Sequence, residues 1–184
     1  MIKYLAVTAV AFLTATAAGN AADRPITYDC DTAPGHFSEL VLPAPAGAFT
    51  VSGNLSARAI AKDKQWAPTA KLLISPPPKS PGLGTDDYAG VTLTALPGKS
   101  VNVKMDVVQY LSFTTKGRDG EIIAGTFSAP GTAQPFGLSY DGRSVVVTVG
   151  SERRTYLLAT TEPVVRIVCS TGEFLFTDIQ VKPR

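Results

Sequence analysis

The last stretch of the chain reads Val164-Val165-Arg166-Ile167-Val168-Cys169, then Ser170-Thr171-Gly172, then Glu173-Phe174-Leu175-Phe176-Thr177-Asp178-Ile179-Gln180-Val181. β-Branched and aromatic residues crowd both flanks, and the three residues between them end in Gly. Such runs around a short Gly-containing segment predict a β-hairpin over residues 163–181. In its second arm Phe174 and Phe176 share one parity and Ile179 and Val181 the other. The apolar face therefore switches beside Asp178, and a turn or bulge capped by that aspartate accounts for it. Cys169 sits in the first arm, and the one other cysteine, Cys30, lies early in the chain.

The sequence upstream has the same grain. Residues 37–42 end at Pro43-Ala44-Pro45, and residues 49–60 place apolar side chains at 49, 51, 55, 57 and 59. Period two means one face is buried and the other is wet. Short apolar runs follow at 70–74, 88–96, 101–105, 107–113, 121–127, 136–140, 144–149 and 153–158, separated by Pro-Gly, Asp-Gly or Gly-Ser turns. Asp141-Gly142 suits the positive-φ positions of a type I′ turn. Residues 75–87 carry four prolines and two glycines, so they read as a long surface loop; too little chain precedes them to form a separate core. Outside the first 21 residues no window supports a long amphipathic helix. Ten to twelve short strands in one domain predict an all-β, antiparallel β-sandwich or barrel. Frequent prolines argue against a membrane barrel.

Residues 1–21 carry one charge, Lys3, then an apolar run from Leu5 to Ala18 and small residues at Gly19 and Ala21. This is the pattern of a secretory signal peptide, with cleavage after Ala21 or Ala22, and it is too short for a persuasive membrane span. The mature domain, residues 22–184, then holds 16 basic and 15 acidic residues, a net charge of +1. Near neutrality gives no basis for a nucleic-acid or anionic-membrane partner. Export to the periplasm or the extracellular space is the expectation, and an oxidising compartment favours a Cys30–Cys169 disulfide over two buried thiols or an intermolecular bond. Closing so long a loop contributes roughly 4–5 kcal/mol in the chain-entropy model.

The closing run from Arg166 to Val181, and the segment Leu138-Ser139-Tyr140-Asp141-Gly142-Arg143-Ser144-Val145-Val146-Val147-Thr148-Val149-Gly150, resemble the last strands and an internal hairpin of concanavalin A-like lectin/glucanase (laminin G-like) domains. The resemblance covers the C-terminal third and implies a jelly-roll sandwich. The glucanase branch carries a Glu-x-Asp-x-x-Glu strand that this sequence lacks, so its hydrolytic chemistry is not implied.

Candidate chemistry is sparse. A glycosidase needs two facing carboxyl groups; Asp106, Glu121, Glu173 and Asp178 lie in or beside strands, but none is paired at i, i+2, and solvated or strand-end roles account for them. His36 is the single histidine. Zinc sites recruit several His or Cys ligands, and no nucleophile elbow accompanies His36 as a base; a place at the start of a strand accounts for it. Asp63, Asp86 and Asp87 are oxygen donors for calcium in principle, though adjacent acids in a loop are ordinarily solvated. No catalytic residue, metal ligand or cofactor is assigned. Trp66, Tyr88, Tyr110 and Tyr140 are the aromatic faces on which a ligand could stack, against the plainer role of core or rim packing. The reading is a non-enzymatic exported sandwich that binds a glycan or a cell-envelope protein. The alternatives are a carbohydrate-active hydrolase with unrecognised carboxylates, or a structural or accessory interaction protein.

Overall fold

The computed structural model describes residues 24–60, 63, 65–79, 87–116, 118–123 and 125–184. The predicted signal peptide and Asp86 lie outside the described residues. Ten strands are present among those described: β1 (Ile26–Pro43), β2 (Phe49–Ile60), β3 (Thr69–Ser75), β4 (Ala89–Pro97), β5 (Val107–Thr115), β6 (Arg118–Ile122), β7 (Gln134–Tyr140), β8 (Ser144–Val149), β9 (Glu152–Leu157) and β10 (Val164–Pro183). All pairings are antiparallel, in the order β6-β5-β4-β3-β10-β2-β7-β8-β9, with β1 on the other edge of β10.

The predicted terminal hairpin is instead one strand of 20 residues. Its first half, through Ser170, pairs with β3; its second half, from Gly172, pairs with β2. β1 follows it on the opposite edge almost throughout, Pro43 facing Val164 and Ile26 facing Ile179. The two long strands thus run from one layer of the sandwich into the other. β4 faces β2 and β8 across a single core built from both layers. The result is an antiparallel, jelly-roll β-sandwich.

What looked like a turn is the crossing point. Thr171 adopts φ 61°, and residues 33–36 of β1 bulge outward opposite it, between the pairs Thr32–Gly172 and Phe37–Ser170. The Thr32 hydroxyl donates to the Gly172 carbonyl at 3.0 Å and accepts from the Gly172 N–H at 3.1 Å. The Gly35 N–H donates to the Thr171 hydroxyl at 3.3 Å, and the Ser170 hydroxyl donates to the His36 carbonyl at 2.9 Å. Side-chain hydroxyls therefore take over where the backbone ladder is interrupted. Gly172 is required by close approach, since a Cβ there would lie 2.8 Å from the Ala59 carbonyl oxygen.

The parity switch at Asp178 is a bulge, as the alternation predicts. Asp178 has φ 56°, Asp178 and Ile179 of β10 stand against the single residue Gly53 between the pairs Thr177–Asn54 and Gln180–Ser52, and the Asn54 amide donates to the Asp178 carboxylate at 3.2 Å. Phe174 and Phe176 before it and Ile179 after it are all fully buried.

The Cys30–Cys169 disulfide is formed, with Cα atoms 6.4 Å apart. Cys30 stands opposite Phe174 on the β2 side of the crossing, and Cys169 belongs to the half of β10 that pairs with β3. The bridge therefore ties one layer to the other through the core beside the crossing.

Two further expectations change. Residues 101–105 do not form a strand: a 3-10 turn over Gly98–Val101 is followed by Asn102 at φ 60°, with the Val103 N–H on the Gly98 carbonyl. The β7–β8 turn is not type I′, because only Gly142 (φ 97°) has positive φ there. Asp141 instead holds the loop with its side chain, accepting the N–H groups of Arg143 (2.9 Å) and Ser144 (2.7 Å) and the Ser144 hydroxyl (2.9 Å). These bonds, the Arg143 N–H foremost, lower the pKa of the Asp141 carboxyl below its ordinary 3.8. A lowered folded-state pKa stabilises above the unfolded value, and that stability is lost as pH falls through the folded one. Urea midpoints measured from pH 5 downward should fall less steeply below about pH 4 for Asp141→Ala than for wild type. Parallel curves would remove the carboxylate from this role.

Candidate functional site

The alternation of antiparallel strands places the β2–β3, β4–β5, β6–β7 and β8–β9 connections at one end of the sandwich. Two concave sites open among these connections.

The first is a groove of about 460 Å³ whose walls include Ile60, Trp66, Pro68, Leu96, Pro97 and Val107. The fold sets its position. β2 and β3 are successive neighbours on the same edge of β10, so the connection between them leaves the sheet at the crossing. Trp66 is 55% exposed. Its backbone is held by Asp63, whose Oδ1 accepts the N–H groups of Gln65 (2.7 Å) and Trp66 (2.8 Å) in an Asx turn. The Pro68 carbonyl anchors the loop by accepting the Ala95 N–H at 3.0 Å. On its far side the indole borders the β1 bulge, where a Cβ on Gly35 would lie 4.0 Å from Trp66 Cδ1 and 3.9 Å from Asp63 Oδ2. A large apolar ring is thus presented on a pinned loop, and Asp63 and Gln65 line the same groove.

The three tyrosines do not join Trp66. Tyr140 is 1% exposed, packs 5.5 Å from the Phe49 ring and donates its hydroxyl to the Thr160 carbonyl at 2.6 Å. Tyr88 is 8% exposed, with Lys71 Nζ 5.7 Å from its ring. Both lie toward the other end of the sandwich, where β7 ends and β4 begins. Tyr110 is half-buried on β5, its ring 5.3 Å from Phe127.

The candidate carboxylates are dispersed. Glu121 pairs with Arg154 at 3.1 Å, linking β6 to β9 at the two extremes of the strand order. Asp178 bonds Asn54 at the bulge, Asp106 lies in the β4–β5 connection, and Glu173 is half-buried on β10. Asp87 pairs with Lys116 at 3.0 Å. His36 is exposed in the β1 bulge. Among the described residues no group of three or more His, Cys, Asp or Glu side chains is placed to hold a metal ion, and no helix is long and apolar enough to cross a membrane.

The second site, about 330 Å³, lies between the β6–β7 connection and the β8–β9 turn, with Thr126, Ser128, Thr132, Gln134, Ser151 and Glu152 set among apolar lining residues. It was not foreseen. Its floor is a pair of glutamines, Gln134, which lines it, and Gln109, bonded to residues that do. The signal was present: Gln109 shares the parity of Leu111 and Phe113, and Gln134 that of Phe136, Leu138 and Tyr140. An amide on the apolar parity of a strand must find buried partners.

No family model matches the chain, and no curated protein matches it. Similar solved structures include the PL7 alginate lyase AlyA1 from Zobellia galactanivorans, at 10% identity and a TM-score of 0.46 over 79% of this chain and 65% of that one. The chain thus spans just under two thirds of the lyase's length. Others are the carbohydrate recognition domain of Emp46p, at 9% identity and a TM-score of 0.46 over 86% of this chain and 87% of that one, and CG-16, a homodimeric agglutinin from chicken liver, at 14% identity and a TM-score of 0.41 over 79% and 100%. Likeness at this level transfers no activity or ligand.

Proposed function

We propose that the protein is an exported binding module that holds a carbohydrate-containing ligand on Trp66. The observation that carries this reading is the indole, more than half exposed at the edge of a preformed groove, on a backbone held there by Asp63. An exposed tryptophan on a pinned loop offers a flat surface at low ordering cost. The C–H face of a sugar ring stacks on such a surface, while Asp63 and Gln65 stand where ring hydroxyls need partners. Export is supported by the disulfide, since such bonds persist in oxidising compartments. The fold itself supports no particular activity.

Trp66 is the sole tryptophan, so tryptophan emission, excited selectively over the tyrosines, reports this groove alone. A glycan array on the domain comprising residues 22–184 would identify ligands, with hydrolysis scored on the same panel. Each ligand found should shift the Trp66 emission, and Trp66→Ala should weaken binding at least about tenfold. Unchanged emission together with unchanged affinity in Trp66→Ala would remove the groove from binding.

A further inference from the structure

We infer that the pocket between the β6–β7 connection and the β8–β9 turn is a second subsite, so that the ligand is an oligosaccharide chain running from the Trp66 groove into it. The inference rests on the reading of Trp66 as a sugar platform and extends it.

Gln134 is 6% exposed and lines the pocket. Its Nε2 donates to the Thr126 carbonyl and to Ser128 Oγ, both at 2.7 Å. The Thr126 carbonyl can only accept, which fixes the amide orientation and leaves Oε1 facing no donor. That oxygen is one of two buried side-chain polar atoms without a partner among the described residues. Ser128 Oγ also accepts from Gln109 Nε2 at 3.1 Å. Serine carries two lone pairs and one proton, so the hydroxyl proton is left to give. A buried acceptor and a donor thus stand side by side, and one ligand hydroxyl, which both donates and accepts, complements the pair. The rim adds the hydroxyls of Thr132 and Ser151 and the carboxylate of Glu152, the one charged group among the described lining residues. Glu152 also pairs with Arg154 at 3.5 Å, and neutral hydroxyls suit the set.

The two sites are neighbours. Val107 lines the Trp66 groove, and Gln109, two residues and about 7 Å further along β5, holds the floor of the second pocket through Ser128 and the Thr132 carbonyl. On β2, Ile60 lines the groove, while Ala57 gives its N–H to Gln109 Oε1 at 2.7 Å and accepts the Gly131 N–H at 2.7 Å. A chain laid across this end passes from the stacking surface to the hydroxyl-reading floor.

The test is a length series. Cello-, laminari-, manno- and chito-oligosaccharides from disaccharide to hexasaccharide are titrated against Trp66 emission. In at least one series the wild-type affinity should rise about tenfold with length, the step that one or two added hydrogen bonds supply. Ser151→Phe and Thr132→Arg, both at exposed positions, should keep the disaccharide affinity and lose the rise. Affinity flat with length in wild type, the result expected if the pocket holds only a trapped water, would overturn the inference, as would an undiminished rise in both plugged variants; either leaves the Trp66 reading intact. Silence of every series would remove that reading and this inference together.

Discussion

A Cys30→Ser, Cys169→Ser double variant is expected to lose about 2–5 kcal/mol of stability. For a domain of this size that is a fall in Tm of roughly 5–20 °C. The bridge closes a loop with a sequence separation of 139, so nearly the whole fold lies inside it and the unfolded chain loses much freedom when it forms. It also acts on the folded state. Both sulfur positions are essentially sealed from solvent, at 1% and 0% exposure, and they join the layers beside the point where β1 and β10 change layer. Serine would leave two buried hydroxyls there without the covalent tie, and buried hydroxyls need partners. Paired urea titrations of wild type and variant measure the loss. A difference below about 1 kcal/mol would mean that the crossing is held by its hydrogen bonds and β-ladders alone. Thiol titration of the unfolded, unreduced wild type should find no free thiol.

The strands, their one-layer burial and the bulge at Asp178 were legible in the sequence because each leaves a trace in period-two alternation. The crossing was misread although its trace is of the same kind. Val165, Ile167 and Cys169 share one parity and Phe174 and Phe176 the other, a switch like the one at Asp178. In a hairpin that switch is absorbed by the turn; in a continuous strand it marks a bend with a bulge. Ser170-Thr171-Gly172 fits either. The choice is made by what lies across the sheet: β3 and β2 are successive neighbours of β10, and β1 bulges by four residues opposite Thr171. Such partnering is non-local, and local alternation does not encode it. Trp66 was legible as a candidate because it is the only indole, and a polar turn with a following proline keeps it off a strand. Tyr88 and Tyr140 were equally plausible by composition, and tertiary packing buried them. The glutamine floor was legible in parity but requires each strand's inward face to be known first.

Glu39→Ala is expected to cost about 3 kcal/mol, far more than any exposed charge on the molecule. Arg166 interrupts the apolar run from Val164 to Cys169 at the parity opposite to the core, which reads as a solvent-facing position. In the structure it is 0% exposed, flanked across the sheet by Val41 and Leu73. Its Nε and Nη2 both donate to Glu39 Oε1, at 2.6 and 2.5 Å, and the Glu39 side chain is itself only 12% exposed. Removing one member of a buried pair strands the other charge, at a cost of about 3–5 kcal/mol. Arg166 has further interactions, which places the expected loss at the lower end. The exposed pair Arg58–Asp29, at 2.7 Å and half-exposed on both sides, is the internal control: Asp29→Ala should cost no more than about 1 kcal/mol. Burial, with bond lengths so similar, accounts for the difference. The pair also predicts strong non-additivity. Glu39→Met combined with Arg166→Met replaces both charges by apolar chains that can pack against Val41 and Leu73, so the double variant should be more stable than Glu39→Ala. Urea midpoints of these variants give the cycle. A Glu39→Ala cost equal to that of Asp29→Ala would show that Arg166 is neutralised by its other partners, and the outer face of this layer would then owe little to Glu39.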